Sequence, residues 1–397
     1  MAASADGTPV AEVKGKKPPK KEKESFEDFC GGGQQANTDI VVSELDELMP
    51  RYYIPSGIIP LDLILLNAES DCSPEAPKGF GTGRMTEIFG PNKSGKSELV
   101  QCVIRSHLAT YEHGVVIFFD QEYSADNRKF QLTPEQKART KAIRAANLEA
   151  FYTYVISELM RVIEFQKANP KLKIVPLVVL DSMATAKTKE EMERKVGQVI
   201  MAGQARINSE CMPVVRSLID KAHGHLLVVN QIRHKVGSHV PTQTTPGGES
   251  ITFSADYRIE SKNIGSWWVG SGKNPPKEKR PPDGFMIAMK TIKNKIAPPL
   301  RDIEIPLSFH RFGGENSGLS NVWGCFQALN GEMFYANAGR FKVKEQYLNG
   351  ESGVTFARKE WPEFFKERRT EVISAMSVWA KGMLGGVSVS DDESAPS

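Results

Sequence analysis

The octapeptide GPNKSGKS, Gly90 to Ser97, follows the apolar run RMTEIF and precedes a stretch of helical pattern. A loop of the form G-x-x-x-x-G-K-[ST] works only where a strand ends and a helix begins. Its glycines turn backbone N–H groups toward the first turn of that helix, where phosphate oxygens are held. The motif therefore demands a strand–loop–helix unit and anchors the reading of everything else. Gly90, Pro91, Asn92, Lys93, Ser94 and Gly95 form the cradle, Lys96 reaches the outer phosphates, and the Ser97 hydroxyl is suited to Mg²⁺.

Similar units recur downstream. GVVIFFD (Gly114 to Asp120), PLVVLDS (Pro176 to Ser182) and HLLVVNQ (His225 to Gln231) are near-continuous apolar runs, the signature of parallel strands buried on both faces. Helical patterns over 96–112, about 148–168 and about 199–222 lie between them, and Pro213 predicts a kink or restart in the last. The fold class is α/β: a mostly parallel sheet flanked by helices, beginning near Tyr52. The runs ADYRIES, GFMIAMKTIKN and LRDIEIPLSF then predict an antiparallel extension, with the core (52–309) ending near Phe309. Residues 310–384 read as a small α/β attachment closed by a helix from about Pro362. There Phe365, Val372, Met376, Trp379 and Met383 recur at packing intervals.

Across 397 residues the formal net charge is only +3, so a nucleic-acid partner must be argued from where charge gathers. Residues 1–37, with KGKKPPKKEK, read as a solvated basic tail, and 385–397, with SVSDDESAPS, as its acidic counterpart. Both are read either as solubilising ends or as a DNA-touching arm and a competitor for the same surfaces. Cys30, Cys72, Cys102, Cys211 and Cys325 are scattered and never form a CxxC pair, which argues against a disulfide framework and a zinc site and fits a reducing cytoplasm. No leader-like apolar region and no run of 18 apolar residues predicts secretion or membrane insertion.

A phosphate loop needs a carboxylate on a neighbouring strand to orient the metal, and Asp181 after LVVL is the candidate. Glu122, two residues past the strand that ends in FFD, is the candidate general base; the alternative is that Asp120 and Glu122 cap the next helix. Gln231 ends a further strand, where an amide can sense a γ-phosphate and pass that state to the following loop, IRHKVGSHVPTQTTPGGES.

In order, GRMTEIFGPNKSGKS, FFDQE, VVLDS, VVNQIRHKVG, TTPGGESITFSADYRIE and IKNKIAPP resemble the RecA-type recombination ATPases over about residues 52–305, and the C-terminal part is more similar to the phage branch typified by UvsX. The resemblance implies ATP and Mg²⁺ as cofactors and the roles above for Lys96, Ser97, Glu122, Asp181 and Gln231, with Asp126 at the adenine amino group. Lys129 departs from the family, standing where a tyrosine often stacks on adenine. Two DNA-binding loops are implied. The first covers about Lys187 to Met201, Met201 being the apolar wedge between bases, with Arg206 on the next helix contacting phosphates. The second runs from Arg233 to Glu249 with Lys235, Gly247 and Gly248. It carries His239 and Val240 where an aromatic wedge is expected. Lys262 and the loop with Lys273, Lys277, Lys279 and Arg280 are candidates for holding a second DNA molecule, or a plain solvated surface. The implied partners are single-stranded DNA, duplex DNA, further copies in a helical filament, a single-strand-binding protein and a loading mediator. ESFEDF or DIVVSELDELM, the latter within 38–51, is the candidate polymerisation element.

Lys293 and Lys295 flank an asparagine after the apolar run Phe285 to Met289, and like charges at i and i+2 on a strand repel unless an anion lies between them. The resemblance implies that this anion is the γ-phosphate held by a neighbouring subunit. Two competing readings are a ring-forming helicase motor on the same core, and an ATP-regulated DNA-coating protein.

Overall fold

The computed structural model describes residues 49–66, 78–122, 130–194, 203–234, 243–269, 271–277, 279–310, 318–337 and 339–384. Both terminal tails, Asp126, Lys129, Met201, Lys235, His239 and Val240 therefore lie outside the described residues. The described residues from Pro50 onward form one compact unit.

In chain order, β1 (Tyr53–Ile54), α1 (Ile59–Ile64) and β2 (Phe80–Gly81) precede β3 (Arg84–Gly90), α2 (Lys96–Thr110) and β4 (His113–Asp120). Next come α3 (Pro134–Ala138), β5 (Thr140–Ile143), α4 (Leu148–Ala168), β6 (Ile174–Asp181), α5 (Lys189–Glu193), α6 (Gly203–Lys221) and β7 (His225–Gln231). A two-stranded ribbon, β8 (Arg233–His234) with β9 (Gln243–Thr244), and helix α7 (Glu249–Ser254) lead to β10 (Tyr257–Trp267), β11 (Gly284–Asn294) and β12 (Asp302–Ser308). The C-terminal part holds β13 (Gly318–Leu319), α8 (Asn321–Leu329), β14 (Phe334–Asn337), β15 (Arg340–Val343), β16 (Thr355–Phe356), α9 (Trp361–Glu367) and α10 (Arg369–Leu384).

Nine strands form one sheet in the order β13-β12-β11-β10-β3-β7-β6-β4-β5. The strands from β10 to β5 run parallel, and β11, β12 and β13 are antiparallel. The α/β reading thus holds, with one correction: β10 joins β3 in parallel, so the antiparallel part begins a strand later than the sequence suggests. Every residue of β6 is buried. Its alternate side chains explain why: Leu177 and Val179 pack with Leu99 and Val103 of α2 on one face, while Val178 and Leu180 meet Phe151, Val155 and Val215 of α4 and α6 on the other.

Two helix expectations need correcting. Helix α6 does not restart at Pro213: it continues through it, although proline removes one ladder hydrogen bond, with Met212 and Val215 on either side buried in the core. The last helical stretch is two helices, α9 and α10, meeting at Arg368. Phe365, Val372 and Met376 do serve packing: they belong to a cluster with Trp323, Phe326 and Trp361 that also takes in Leu63, Trp267 and Met286. Among the described residues, no helix is long and apolar enough to cross a membrane.

Candidate phosphate site and nucleic-acid interface

The loop between β3 and α2 lies at the C-terminal edge of the parallel strands, where ligands of open α/β sheets bind. Gly90 (φ +159°) comes so close to β10 that a Cβ would sit 2.0 Å from the Ser261 carbonyl oxygen, so only glycine fits. The Ser261 hydroxyl, in turn, donates to the Ser94 carbonyl and fixes the loop from behind. Lys93 (φ +61°) and Gly95 (φ +81°) occupy the left-handed region, the first of them a non-glycine strained at the turn of the cradle.

A pocket of about 500 Å³ opens here, lined by Asn92 to Ser97 together with Glu122, Asp181 and Gln231, and walled by Phe285 and Leu307. Five side chains expected to act together, Lys96, Ser97, Glu122, Asp181 and Gln231, thus share one pocket although they come from four different strand ends. Lys96 Nζ donates to the carbonyls of Gly90 (3.1 Å) and Pro91 (2.7 Å). Burial lowers its pKa, and the charges of Glu122 and Asp181 oppose that shift. Ser97 Oγ donates to Asp181 Oδ2 at 3.0 Å. Asp181 Oδ1 is buried without a hydrogen-bond partner among the described residues. Burial, and then the Glu122 charge, raise the Asp181 carboxyl to about 6. A hydroxyl beside a carboxylate with an unused inward oxygen is a donor set that suits a hard divalent cation such as Mg²⁺.

Glu122 Oε1 accepts from Ser182 Oγ at 2.7 Å and from Gln231 Nε2 at 3.0 Å, so the candidate base and the candidate sensor are in direct contact. Asp120 points elsewhere, toward Arg144 at 3.5 Å. No pattern in the sequence marks Ser182 or Asn230. The Asn230 amide donates to Glu87 Oε1 and to the Pro246 carbonyl, both at 2.9 Å, while Glu87 is held by Arg258 at 2.6 Å. The residue next to the sensor therefore ties the sheet to the end of the second loop.

At that end Gly247 (φ +96°) and Gly248 (φ +80°) pack against α6. Asn208 of α6 donates to the Gly247 carbonyl at 2.7 Å and accepts from the Tyr152 hydroxyl at 2.6 Å. A Cβ on Gly248 would lie 2.6 Å from that of Ala205. Arg233 lies in the ribbon opposite Thr244, and Glu249 opens α7. Arg206, exposed in the first turn of α6, pairs with Glu190 at 3.0 Å, and Lys262, exposed on β10, pairs with Glu260 at 2.8 Å. Of the basic loop, Lys273 is bound to Glu304 and Arg280 to Asp283, so two of its four cations are already neutralised.

Lys293 and Lys295 stand apart from the pocket. β11 ends at Asn294, so Lys295 lies just past the strand and does not share a strand face with Lys293 as the spacing suggests. Lys293 pairs with Arg258, which is level with Glu87, about 10 Å back along β3 from Gly90. Lys293 Nζ donates to the carbonyls of Thr252 (2.9 Å) and Phe253 (3.1 Å) at the end of α7; burial, then Lys295, lower its pKa. Lys295 reaches Asp256 at 3.3 Å. Asp256 also takes Arg216 and the Met85 N–H; burial pushes its carboxyl up, but these partners hold it below the usual range.

Comparison with known proteins identifies the family. The RecA N-terminal domain family matches residues 75–313, more than half of the chain. Protein RecA of Aquifex aeolicus is 28% identical over 257 residues, covering 64% of this chain and 65% of that protein. For Protein RecA of Thermus thermophilus the identity is 26% over 321 residues, 81% of this chain and 84% of the relative. Protein RecA 2 of Myxococcus xanthus is 27% identical over 349 residues, 85% of each chain. With the family's N-terminal domain matched over more than half of its length, phosphate loop included, the chain belongs to the RecA family.

Proposed function

We propose that the chain is a DNA-dependent ATPase that assembles as a helical filament on single-stranded DNA, pairs it with duplex DNA and exchanges strands. The observation that carries this reading is the shared carboxylate: Glu122 is held by Ser182 and Gln231 inside the phosphate pocket, and Gln231 leads directly into the 233–249 loop. In the reaction, the Glu122 carboxylate accepts a proton from the water that attacks the γ-phosphorus in line, the bond to the β-phosphate oxygen breaks, and ADP leaves with the electron pair. Lys96 balances charge on the outer phosphates. Ser97 and Asp181 would hold Mg²⁺, whose charge stabilises the phosphate oxygens. A γ-phosphate that draws the Gln231 amide from Glu122 shifts the loop's anchorage through Asn230 and Pro246, which couples nucleotide state to DNA affinity.

Asp126 contributes to base selection, Met201 is the wedge of the first loop, and Arg206, Arg233, Lys235 and the Gly247–Glu249 turn contact the DNA backbone, with Lys262 toward a second duplex. Lys293 and Lys295 act on a neighbour's ATP, for which a rate effect of about 10³ to 10⁵ is expected by analogy with arginine fingers. A single-strand-binding protein and a loading mediator assist assembly, the setting is the cytoplasm, and membership of the phage branch rests on the C-terminal sequence likeness.

The test combines ATP turnover with and without single-stranded DNA, electron microscopy with a non-hydrolysable analogue, and a strand-exchange assay. Stimulated turnover, helical filaments and exchanged product are expected. Closed hexameric rings would overturn the reading in favour of a helicase motor, and turnover indifferent to DNA in favour of a coating protein.

A further inference from the structure

Away from the phosphate loop, a cavity of about 410 Å³ joins Ser271, from the β10–β11 connection, to Arg340, Phe341, Arg358 and Lys359 of the C-terminal part. That size is in the range of small-ligand sites. Arg358 is half-buried, with its guanidinium 4.8 Å from the Phe326 ring and 5.4 Å from that of Phe341. It makes no ion pair among the described residues, and burial alone acts on its pKa, lowering it, so no anion there offsets the cost of desolvation. Ser271 Oγ is buried and has no hydrogen-bond partner among the described residues. The two groups are held together by design of the turn: Trp268 and Gly272 exchange N–H to carbonyl bonds of 2.8 Å, and at Gly272 (φ +70°) a Cβ would lie 2.8 Å from Arg358 Nη1.

Lys359 is exposed and makes no ion pair among the described residues, whereas Arg340 is bound to Glu360 at 2.8 Å. The cavity thus has inside it a guanidinium that rests on two aromatic rings without an anion, and a hydroxyl without a hydrogen-bond partner, among the described residues, with a surplus of positive charge at its rim even after Glu360 is counted. A planar fork with an adjacent O–H donor is complementary to a group bearing several acceptor oxygens.

We propose that this cavity is a second phosphate-binding site, with Arg358 and Ser271 as its inner donors and Lys359 and Arg340 at its mouth. The phosphate is that of a nucleic-acid backbone or of a free phosphate or nucleotide, and the site is independent of the reading of the core loop.

The test uses the full chain carrying Lys96→Ala, so that the core loop does not report. Inorganic phosphate binding is followed by ³¹P NMR and calorimetry, and then challenged with a short duplex oligonucleotide. The single variant is expected to retain phosphate binding, and adding Arg358→Gln to weaken it about 10- to 100-fold, the worth of a charged hydrogen bond. Ser271→Ala, a small change that leaves the turn's backbone bonds intact, is expected to weaken it in the same direction if Arg358→Gln fails to fold. Displacement of phosphate by the duplex identifies the backbone as the source; binding that survives the duplex identifies a free phosphate ligand. Absence of phosphate binding in the Lys96→Ala chain, or affinity unchanged by both added variants, would overturn the proposal.

Discussion

Glu122 makes contact with two donors of different kinds, and replacing it separates binding from chemistry. Glu122→Gln keeps the size of the side chain and one carbonyl acceptor but removes the proton acceptor, so DNA-stimulated turnover is expected to fall by about 10² to 10⁴ with nucleotide binding retained. Single-turnover hydrolysis beside equilibrium nucleotide titration reads both quantities; turnover within a few-fold of the parent would remove Glu122 from the role of base. At another residue the chain carries a pH dependence unrelated to catalysis. Asp62 of α1 is buried, and burial raises its carboxyl to about 7 against the pull of the Ser56 hydrogen bonds. The folded state therefore binds this proton more tightly than the unfolded chain. The stabilising contribution is complete below the usual value of 3.8 and is lost as pH rises through about 7. Asp62→Asn, which keeps an acceptor for the Ser56 N–H, is expected to raise the melting temperature at pH 8 and to change it little at pH 5; equal effects at both would contradict the assignment. Residues that end apolar strands, such as Asp181 and Gln231, were legible because position along the chain dictates position at the sheet edge. Ser182, Asn230 and Ser261 were not, since each acts on a residue far away in sequence, and a lone serine or asparagine carries no pattern.

Among the elements, the second loop's anchorage is the most exposed to test. Gly248→Ala imposes both a left-handed backbone on a residue with a Cβ and a 2.6 Å approach to Ala205, a strain of about 1–3 kcal/mol. Single-stranded DNA affinity, measured by fluorescence anisotropy, is expected to fall while ATP binding persists; parallel loss of both would show that the turn supports the whole core instead. The glycines themselves were visible in PGGES, but not the reason for them, which is the passage of α6 against the turn. The same limit explains Pro213: a local rule allows a restart there, and burial of the flanking Met212 and Val215 carries the helix through. The parallel pairing of β10 was likewise hidden, because the chain returns to the sheet centre beside β3 after the ribbon and α7, a choice no single segment's pattern encodes.

At the scale of the whole molecule, the chain keeps its two candidate halves of a hydrolytic site at different ends of the sheet. Mixing Glu122→Gln with Lys293→Ala subunits is therefore expected to restore about a quarter of the parental DNA-stimulated rate by random pairing, since the intact halves meet at some heterologous interfaces. A mixture no faster than its components would show that the lysines act within their own subunit. DNA affinity should also fall with salt, with a logarithmic slope of about 0.7 per phosphate neutralised on a single strand; an affinity flat in salt would exclude the basic loops as the contact surface.

Lys293 and Lys295 are each satisfied inside their own subunit, by the end of α7 and by Asp256. An isolated chain therefore keeps both cations engaged within itself. On the trans reading, a row of n subunits contains only n − 1 complete catalytic junctions, and the subunit at one end always idles. Hydrolysis per subunit then rises with polymer length and saturates, so a short oligomer persists in its ATP-bound form while a long one turns over along its interior. On that reading a head-to-tail polymer, already directional, also acquires a chemically distinct tip.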